Sequence, residues 1–322
     1  MKNKPILLVA GEPNSIFLEV LFKTLYTNNF VSPIVLICSK YILESQMKYF
    51  KYKFKIRYLE IGKINKYNLN SKVLNVIDVS YKQKKIFEKI SINSNDYIRK
   101  SFLIAVKLIK SKFTNKFING PISKKHFLNK KYPGITEYLS AKFNISNIAM
   151  LIYNKQLSVC PITTHIPIKD VATKITKNKI INKISLIDSF YKKNFKISPS
   201  IALTGLNPHC EGKIEEEKKI FEPVIKYLSA KNIKISGPYS ADTLFTKNQR
   251  LKFTVIIGMY HDQVLTPMKT LFEYDAINIT LGLPFLRISP DHGPNENMIG
   301  QNKSNPISVL KALKFLDKSD HS

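Results

Sequence analysis

Three of the chain's six histidines follow directly on apolar, strand-like runs: LSVCPITTH ends at His165, IALTGLNPH at His209 and TVIIGMYH at His261. Ligands of open α/β sheets bind beyond the carboxyl ends of the strands. Neutral imidazoles delivered there from three strands suit one divalent metal with positions left open for substrate, the catalytic rather than the structural pattern. The separations of 44 and 52 residues equally suit histidines that each cap their own strand, so residue type and spacing leave both readings open. Cys210, next to His209, is either a soft ligand or a bystander.

A second group of reactive side chains lies in residues 254–293, TVIIGMYHDQVLTPMKTLFEYDAINITLGLPFLRISPDHG. At the chain's average basic content, forty residues should hold about six Lys or Arg. This stretch holds only Lys269 and Arg287. Each suits a phosphate or carboxylate, Arg287 through paired N–H groups and Lys269 as a point charge; the alternative for each is a structural ion pair. Asn278 stands inside the apolar run INITLGLPF and needs partners if it is buried.

The elements that must position these groups are read from short apolar runs: Ile6–Ala10, Pro33–Cys38, Val73–Val79, Ile148–Tyr153, Ser158–Thr163, Ile201–Thr204 and Phe253–Met259. Helical stretches lie between several of them. Asp96–Phe113 has apolar residues at Ile98, Phe102, Ala105, Val106 and Ile109, and Glu215–Ala230 has an acidic first turn with Lys later, as a helix dipole favours. Strands alternating with helices imply a mostly parallel sheet covered on its faces. The 322 residues suffice for two domains or one large α/β unit.

Composition narrows the function classes. No segment approaches the roughly 20 apolar residues of a membrane span. The opening MKNKPILLVAGEP reads as the first strand of a cytoplasmic protein, because its apolar run is too short for a secretory core. Cys38, Cys160 and Cys210 are an odd number without metal or redox spacing, which argues against a disulfide framework. A formal charge of +28 invites a nucleic-acid reading, yet the arginines number only four and the lysines are scattered along the whole chain. Base-reading grooves use Arg forks and stacked aromatics, so a general compositional bias explains the charge better, and a positive field still favours an anionic substrate.

The motifs MYHDQ, INITLGLPFLR and SPDHG, with Lys269 between the first two, closely resemble the 4-hydroxythreonine-4-phosphate dehydrogenase (PdxA) family. TTHIP at 163–167, GLNPHCEG at 205–212, GPYSADTLF at 237–245, NGPISK at 119–124 and GEPNSI at 11–16 fall in that family's order, so the match spans nearly the whole chain. The resemblance implies an isocitrate/isopropylmalate dehydrogenase-like α/β fold. It would have a cofactor-side domain from residues 1–124 and 283–322, a metal, substrate and dimerisation domain from 125–282, and an active-site cleft between them. It also implies a cytoplasmic homodimer whose partner helps complete the site. His165, His209 and His261 fall on the family's metal ligands, with zinc the first choice and cobalt, manganese or magnesium as alternatives.

Thr136 in GITEYL, Lys269, Asn278 and Arg287 match the family's substrate contacts, and Asp242, Asp262 and Lys269 are the candidate catalytic groups. DHGPNENMIGQNKSNP at 291–306 is similar to the loop that wraps the cofactor's adenosine, which makes His292, Gly293 and Asn295 the candidate contacts for NAD or NADP. No G-x-G-x-x-G opens a first helix, in keeping with a superfamily that lacks that fingerprint. The implied reaction oxidises 4-phosphooxy-L-threonine to a 3-keto acid that loses carbon dioxide to give 3-amino-2-oxopropyl phosphate, in pyridoxal 5'-phosphate biosynthesis.

The chain departs from the family at three places. The usual histidine before Thr136 is Ile135, which neither donates a hydrogen bond nor carries charge. In the first loop Ser15, Phe17 and Leu18 replace residues that permit tight turns, and Gln301-Asn302 stand for a usual Lys-Gly pair. A paralogue acting on another phosphorylated hydroxy acid, such as a four-carbon sugar acid phosphate, is therefore the competing enzyme reading. A basic nucleic-acid-binding protein is the competing reading outside enzymes, and would require a clustered positive face.

Overall fold

The computed structural model describes residues 3–128, 132, 134–210, 217–290 and 292–318. The chain forms two compact units, one of residues 1–144 with 283–321 and the other of 145–282. The described residues contain, in chain order, strands β1 (Ile6–Val9), β2 (Ile34–Cys38), β3 (Ile56–Tyr58), β4 (Leu74–Asp78), β5 (Lys116–Asn119), β6 (Ala149–Tyr153), β7 (Ser158–Pro161), β8 (Ile201–Thr204), β9 (Ile235–Tyr239), β10 (Val255–Gly258), β11 (Ile277–Leu281) and β12 (Leu286–Ser289). Each apolar run read as a strand is one, trimmed by no more than two residues at either end. Of the five strands outside those runs, β11 and β12 begin within INITLGLPFLR and the other three carry a disguise. β3 is half-exposed, β5 begins with Lys116, and β9 contains the Gly237-Pro238 pair.

In the first unit the strand order is β3-β4-β2-β1-β5-β12, and every neighbouring pair is parallel. Parallel strands covered on both faces carry unbroken apolar sequence, and ILLV of β1 and IVLIC of β2 are buried throughout. Helix Asn95–Lys110 turns Ile98, Phe102, Ala105, Val106 and Ile109 into the core beside Leu7, Val35 and Phe117. Asp96 in its first turn and Lys107 and Lys110 in its last complement the helix dipole. The chain leaves the helix through Lys112 at φ 60°. Helix Ile135–Lys142 packs Tyr138 and Leu139 on the same core.

In the second unit the order is β11-β6-β7-β10-β8-β9. The mostly parallel pattern holds from β7 through β9, whereas β11–β6 and β6–β7 are antiparallel. Helix Lys177–Phe195 is capped by the Thr176 hydroxyl, which accepts from Lys179 N. The helix expected over 215–230 is different in form: Glu215 and Glu216 lie outside the described residues, 217–221 is a wide π turn, and the regular helix spans Glu222–Ala230. Pro223 lacks an N–H and fits only a first helical turn, which fixes where the regular helix begins. Helix His261–Phe272 follows β10. No helix among the described residues is long and apolar enough to cross a membrane.

Candidate active site

The second unit gathers the histidine-bearing loops at one sheet edge. β10 lies between β7 and β8 and is parallel to both, with Gly258 opposite Pro161 and Ile257 opposite Leu203. All three chains therefore leave the sheet on the same side. His165 comes four residues after Pro161, His261 three after Gly258 and His209 five after Thr204, the last residue of β8. Two side chains staple these exits together. The Thr163 hydroxyl donates to Met259 O at 2.7 Å, joining the β7 and β10 loops. Gln263 Oε1 accepts from Met259 N at 2.6 Å and from Thr204 Oγ1 at 3.0 Å, while its Nε2 donates to Gly205 O at 2.9 Å, joining β10 to β8. Gln263 is a positioning residue that stood unassigned within the MYHDQ motif.

His165 and His209 adopt left-handed backbone, φ 53° and 62°, as does Cys210 at 53°. Residues other than glycine held there cost about 1–3 kcal/mol each and concentrate where a side chain must be aimed. The His165 and His261 ring centroids stand 6.1 Å apart. His261 Nδ1 is 2.7 Å from Asp262 Oδ1; with Nδ1–H donating, the Nε2 lone pair is left for a ligand. Asp242 Oδ1 accepts from Ser240 Oγ and from Thr243 N at 2.7 Å. Those hydrogen bonds hold its carboxyl below the usual carboxylate range, with His209 adding to the effect. The structure thus sets the His165 and His261 rings side by side, and His209 contributes favourably to the charge on Asp242. Among the described residues no three His, Cys, Asp or Glu side chains converge closely enough to hold a metal. The donor set, three imidazoles on stapled loops, fits a divalent ion in its chemistry.

Lys269 lies in the last turn of helix His261–Phe272, half-buried, and burial lowers its pKa. It is seven residues from Asp262, two helical turns, so the two share a face. Asn278 sits on β11 with Oδ1 buried and lacking a hydrogen-bond partner. Buried polar atoms in native proteins almost always find partners, and a bound polar ligand would supply this one.

The first unit assembles a different group. Arg287 of β12 is 1% exposed. Its Nε donates to Asn119 Oδ1 at 2.8 Å and its Nη1 to Thr136 Oγ1 at 2.7 Å. Burial lowers its pKa to about 10, with Glu137 opposing, so the guanidinium stays charged at neutral pH. Thr136 and Arg287 are therefore brought together, and Asn119 is a third member that NGPISK contained without singling it out. Close approach of the β1 and β5 ends shapes this edge. A Cβ on Gly11, φ 77°, would stand 2.3 Å from Pro121 O, and one on Gly120 would stand 2.1 Å from Ala10 O.

The 292–304 loop is pinned to the same unit. Ile16 N donates to Pro294 O at 3.1 Å, and Lys23 Nζ donates to the carbonyl oxygens of Asn302 and Ser304, both at 2.9 Å. His292 has its pKa lowered by burial, so the ring is neutral at physiological pH, and its buried Nε2 has no hydrogen-bond partner. Space is open where a Cβ on Gly293 would lie. Asn295 is left-handed, φ 53°, with Nδ2 turned to Met298 Sδ, so its visible task is to shape the loop. Asp291 of the motif lies outside the described residues. The departures in sequence have local accommodations. Asn302 takes φ 57°, a conformation Asn tolerates better than most residues with a side chain. Ser15 Oγ donates to Glu12 O and accepts from Phe17 N, so a side chain now makes the turn.

Glu12, in the loop after β1, escaped the sequence reading although GEP places an acid directly after an apolar strand. Its carboxylate is 2% exposed and accepts from Ser94 Oγ at 3.0 Å and Asn14 N at 3.3 Å. Burial pushes its pKa from 4.5 up to about 7, with Ser94 opposing and Glu296 adding. A carboxyl raised on folding favours the native state below the unfolded value and loses that contribution as pH rises through the folded one. Glu12→Gln is therefore expected to stabilise the protein at pH 8.5, by on the order of 3 kcal/mol at most, with the gain shrinking toward pH 5. Thermal melts at both pH values check this, and an equal difference at the two would refute it.

A family model described as pyridoxal phosphate biosynthetic protein PdxA matches residues 29–316. A 4-hydroxythreonine-4-phosphate dehydrogenase from Sulfurihydrogenibium sp. (strain YO3AOP1) is 44% identical over 217 residues, 66% of this chain and 67% of that one. A D-threonate 4-phosphate dehydrogenase from Salmonella typhimurium strain LT2 is 28% identical over 324 residues, 98% of each chain. Among solved structures, a 4-hydroxythreonine-4-phosphate dehydrogenase from Klebsiella pneumoniae superposes with a TM-score of 0.85 at 26% identity, covering 99% of both chains.

Proposed function

The chain belongs to the PdxA family of oxidoreductases, and from that premise we propose that it oxidises 4-phosphooxy-L-threonine to the 3-keto acid with a nicotinamide cofactor and one divalent metal. Loss of carbon dioxide then gives 3-amino-2-oxopropyl phosphate. The observation that carries this reading is the exit of His165, His209 and His261 from three adjacent parallel strands at one stapled edge. His165, His209 and His261 would hold a divalent ion there, which would supply Lewis acidity at the substrate alcohol, and a nicotinamide would serve as the hydride acceptor. Zinc is the first candidate ion, because three imidazoles with open positions are a familiar catalytic zinc set.

The protein's own groups divide the remaining work. Asp262 holds His261 in the tautomer that leaves Nε2 free, and Asp242 acts on His209 through its charge. The Lys269 ammonium, with its pKa depressed, stabilises the enolate left by decarboxylation. Asn278 Oδ1 accepts from the substrate, which resolves its buried, unpartnered state. Arg287, braced by Asn119 and Thr136, offers charge-assisted hydrogen bonds to phosphate or carboxylate. His292 presents neutral Nε2 to the adenosine, beside open space at Gly293 and a turn set by Asn295. The reading extends, on family resemblance, to the isocitrate/isopropylmalate dehydrogenase-like description, a homodimer and the cytoplasm.

A second substrate has specific support. The D-threonate 4-phosphate dehydrogenase matches along 98% of the chain, and Ile135 stands where the family usually has histidine. The two substrates differ at C2, which carries an ammonium in one and a hydroxyl in the other. Ile135 is half-buried at the first position of helix Ile135–Lys142, directly before Thr136. Formation of NADH or NADPH from each purified substrate by metal-loaded protein separates the readings; turnover of D-threonate 4-phosphate alone would refute the first. Ile135→His is expected to change KM for the phosphorylated substrate by about tenfold and leave metal content unaltered, since one gained or lost hydrogen bond to a charged group is worth roughly 1.5–3 kcal/mol. Unchanged KM for both substrates would make Ile135 irrelevant to specificity.

A further inference from the structure

Beside the 292–304 loop, the first unit carries a pocket of about 830 Å³ lined by residues of 84–89 and 296–299. Phe87 anchors the 84–89 segment. Its ring packs edge-on to Tyr49 at 5.1 Å, and a Cβ on Gly300 would stand 3.1 Å from it. Tyr49 OH in turn donates to Gly300 O at 3.1 Å, so segment and loop are held against each other. Six residues at the chain's average composition would hold about one lysine. This segment holds Lys84, Lys85 and Lys89, all exposed and all lining the pocket.

The lysines outnumber the acids in the lining. Glu88 Oε1 accepts from Lys84 N at 2.8 Å and Lys85 N at 3.2 Å, so that carboxylate braces the turn from which both lysines project. Glu296 is the second acid in the lining, so three lysines stand against two carboxylates. We propose that Lys84, Lys85 and Lys89 form a receptor for a phosphate ester on the adenosine of the cofactor, so that this protein favours the 2'-phosphorylated dinucleotide. The inference rests on the reading of 291–306 as the adenosine loop. Three mobile ammonium groups suit a dianionic phosphate, which accepts from several directions at once. A pocket dominated by Glu296 would instead accept from the free 2'-hydroxyl and repel the phosphate, as acidic residues do in other dinucleotide sites.

Calorimetric titration with NADPH and NADH, at about 0.15 M salt to screen the general positive field, is the test, because the two ligands differ only in the 2'-phosphate. NADPH is expected to bind about tenfold more tightly, the combined effect of three modest exposed charge contacts. In the triple variant Lys84→Gln, Lys85→Gln, Lys89→Gln the ratio should fall toward one. Removing three other exposed lysines, Lys55→Gln, Lys66→Gln, Lys72→Gln, should preserve it. Equal binding of the two ligands, tighter binding of NADH, or a preference that survives the first triple variant would overturn the receptor while leaving the adenosine loop standing. Binding of neither would overturn both.

Discussion

Replacing His209 by Ala is expected to lower metal-dependent turnover by about three orders of magnitude and to lower the bound-metal stoichiometry with it. The size follows from the several kcal/mol that a Lewis-acidic ion contributes to stabilising developing charge on oxygen. Folding should change little, because His209 is exposed and in left-handed backbone. Alanine there meets the same backbone strain as histidine, so a modest fall in melting temperature would not explain a loss of that size. Elemental analysis separates the possibilities. A variant that keeps one ion per chain and loses activity would show that His209 serves the substrate and not the metal. A variant that keeps both would remove His209 from the site. Chelation of the parent protein should reproduce the turnover loss, and added zinc or cobalt should reverse it.

The difference between what the sequence discloses and what the fold adds follows from the range of the interactions. Strands such as ILLV and IVLIC declare themselves because both faces are buried and every residue is apolar. That the loops of β7, β8 and β10 share one edge is invisible to spacing, because adjacency in the order β7-β10-β8 is set by strand pairing across about a hundred residues. Thr163 and Gln263 are polar residues of ordinary type, and their importance lies in partners on other strands. Asn119 is similar, since only the pairing of β5 with β12 brings it to Arg287. Glu12 becomes unusual through the desolvation that a packed interior imposes. Asn278 could be singled out in advance because a lone polar residue in an apolar run conflicts with its neighbours wherever that run is buried.

Arg287 sets the second large effect, and two substitutions separate its chemistry from its packing. Arg287→Lys keeps a positive charge but loses the fork, and one ammonium group does not reproduce planar paired donation. The expected loss in kcat/KM is about a hundredfold, carried mainly by KM, with the affinity for a phosphorylated substrate analogue falling in parallel. Arg287→Met removes the charge at similar length. Asn119 Oδ1 and Thr136 Oγ1 then lose a donor, at about 1–3 kcal/mol for each buried group left unsatisfied. Against that cost stands relief from burying a guanidinium whose pKa has already been driven down to about 10. These opposing terms should leave the melting temperature within a few degrees of the parent. Activity should fall further than in the lysine variant, because substrate phosphate or carboxylate would have no charged partner at that position. If Arg287 were only a strut, the order would reverse. Met would melt far earlier, Lys would restore both stability and activity, and analogue affinity would follow the folded fraction instead of the charge.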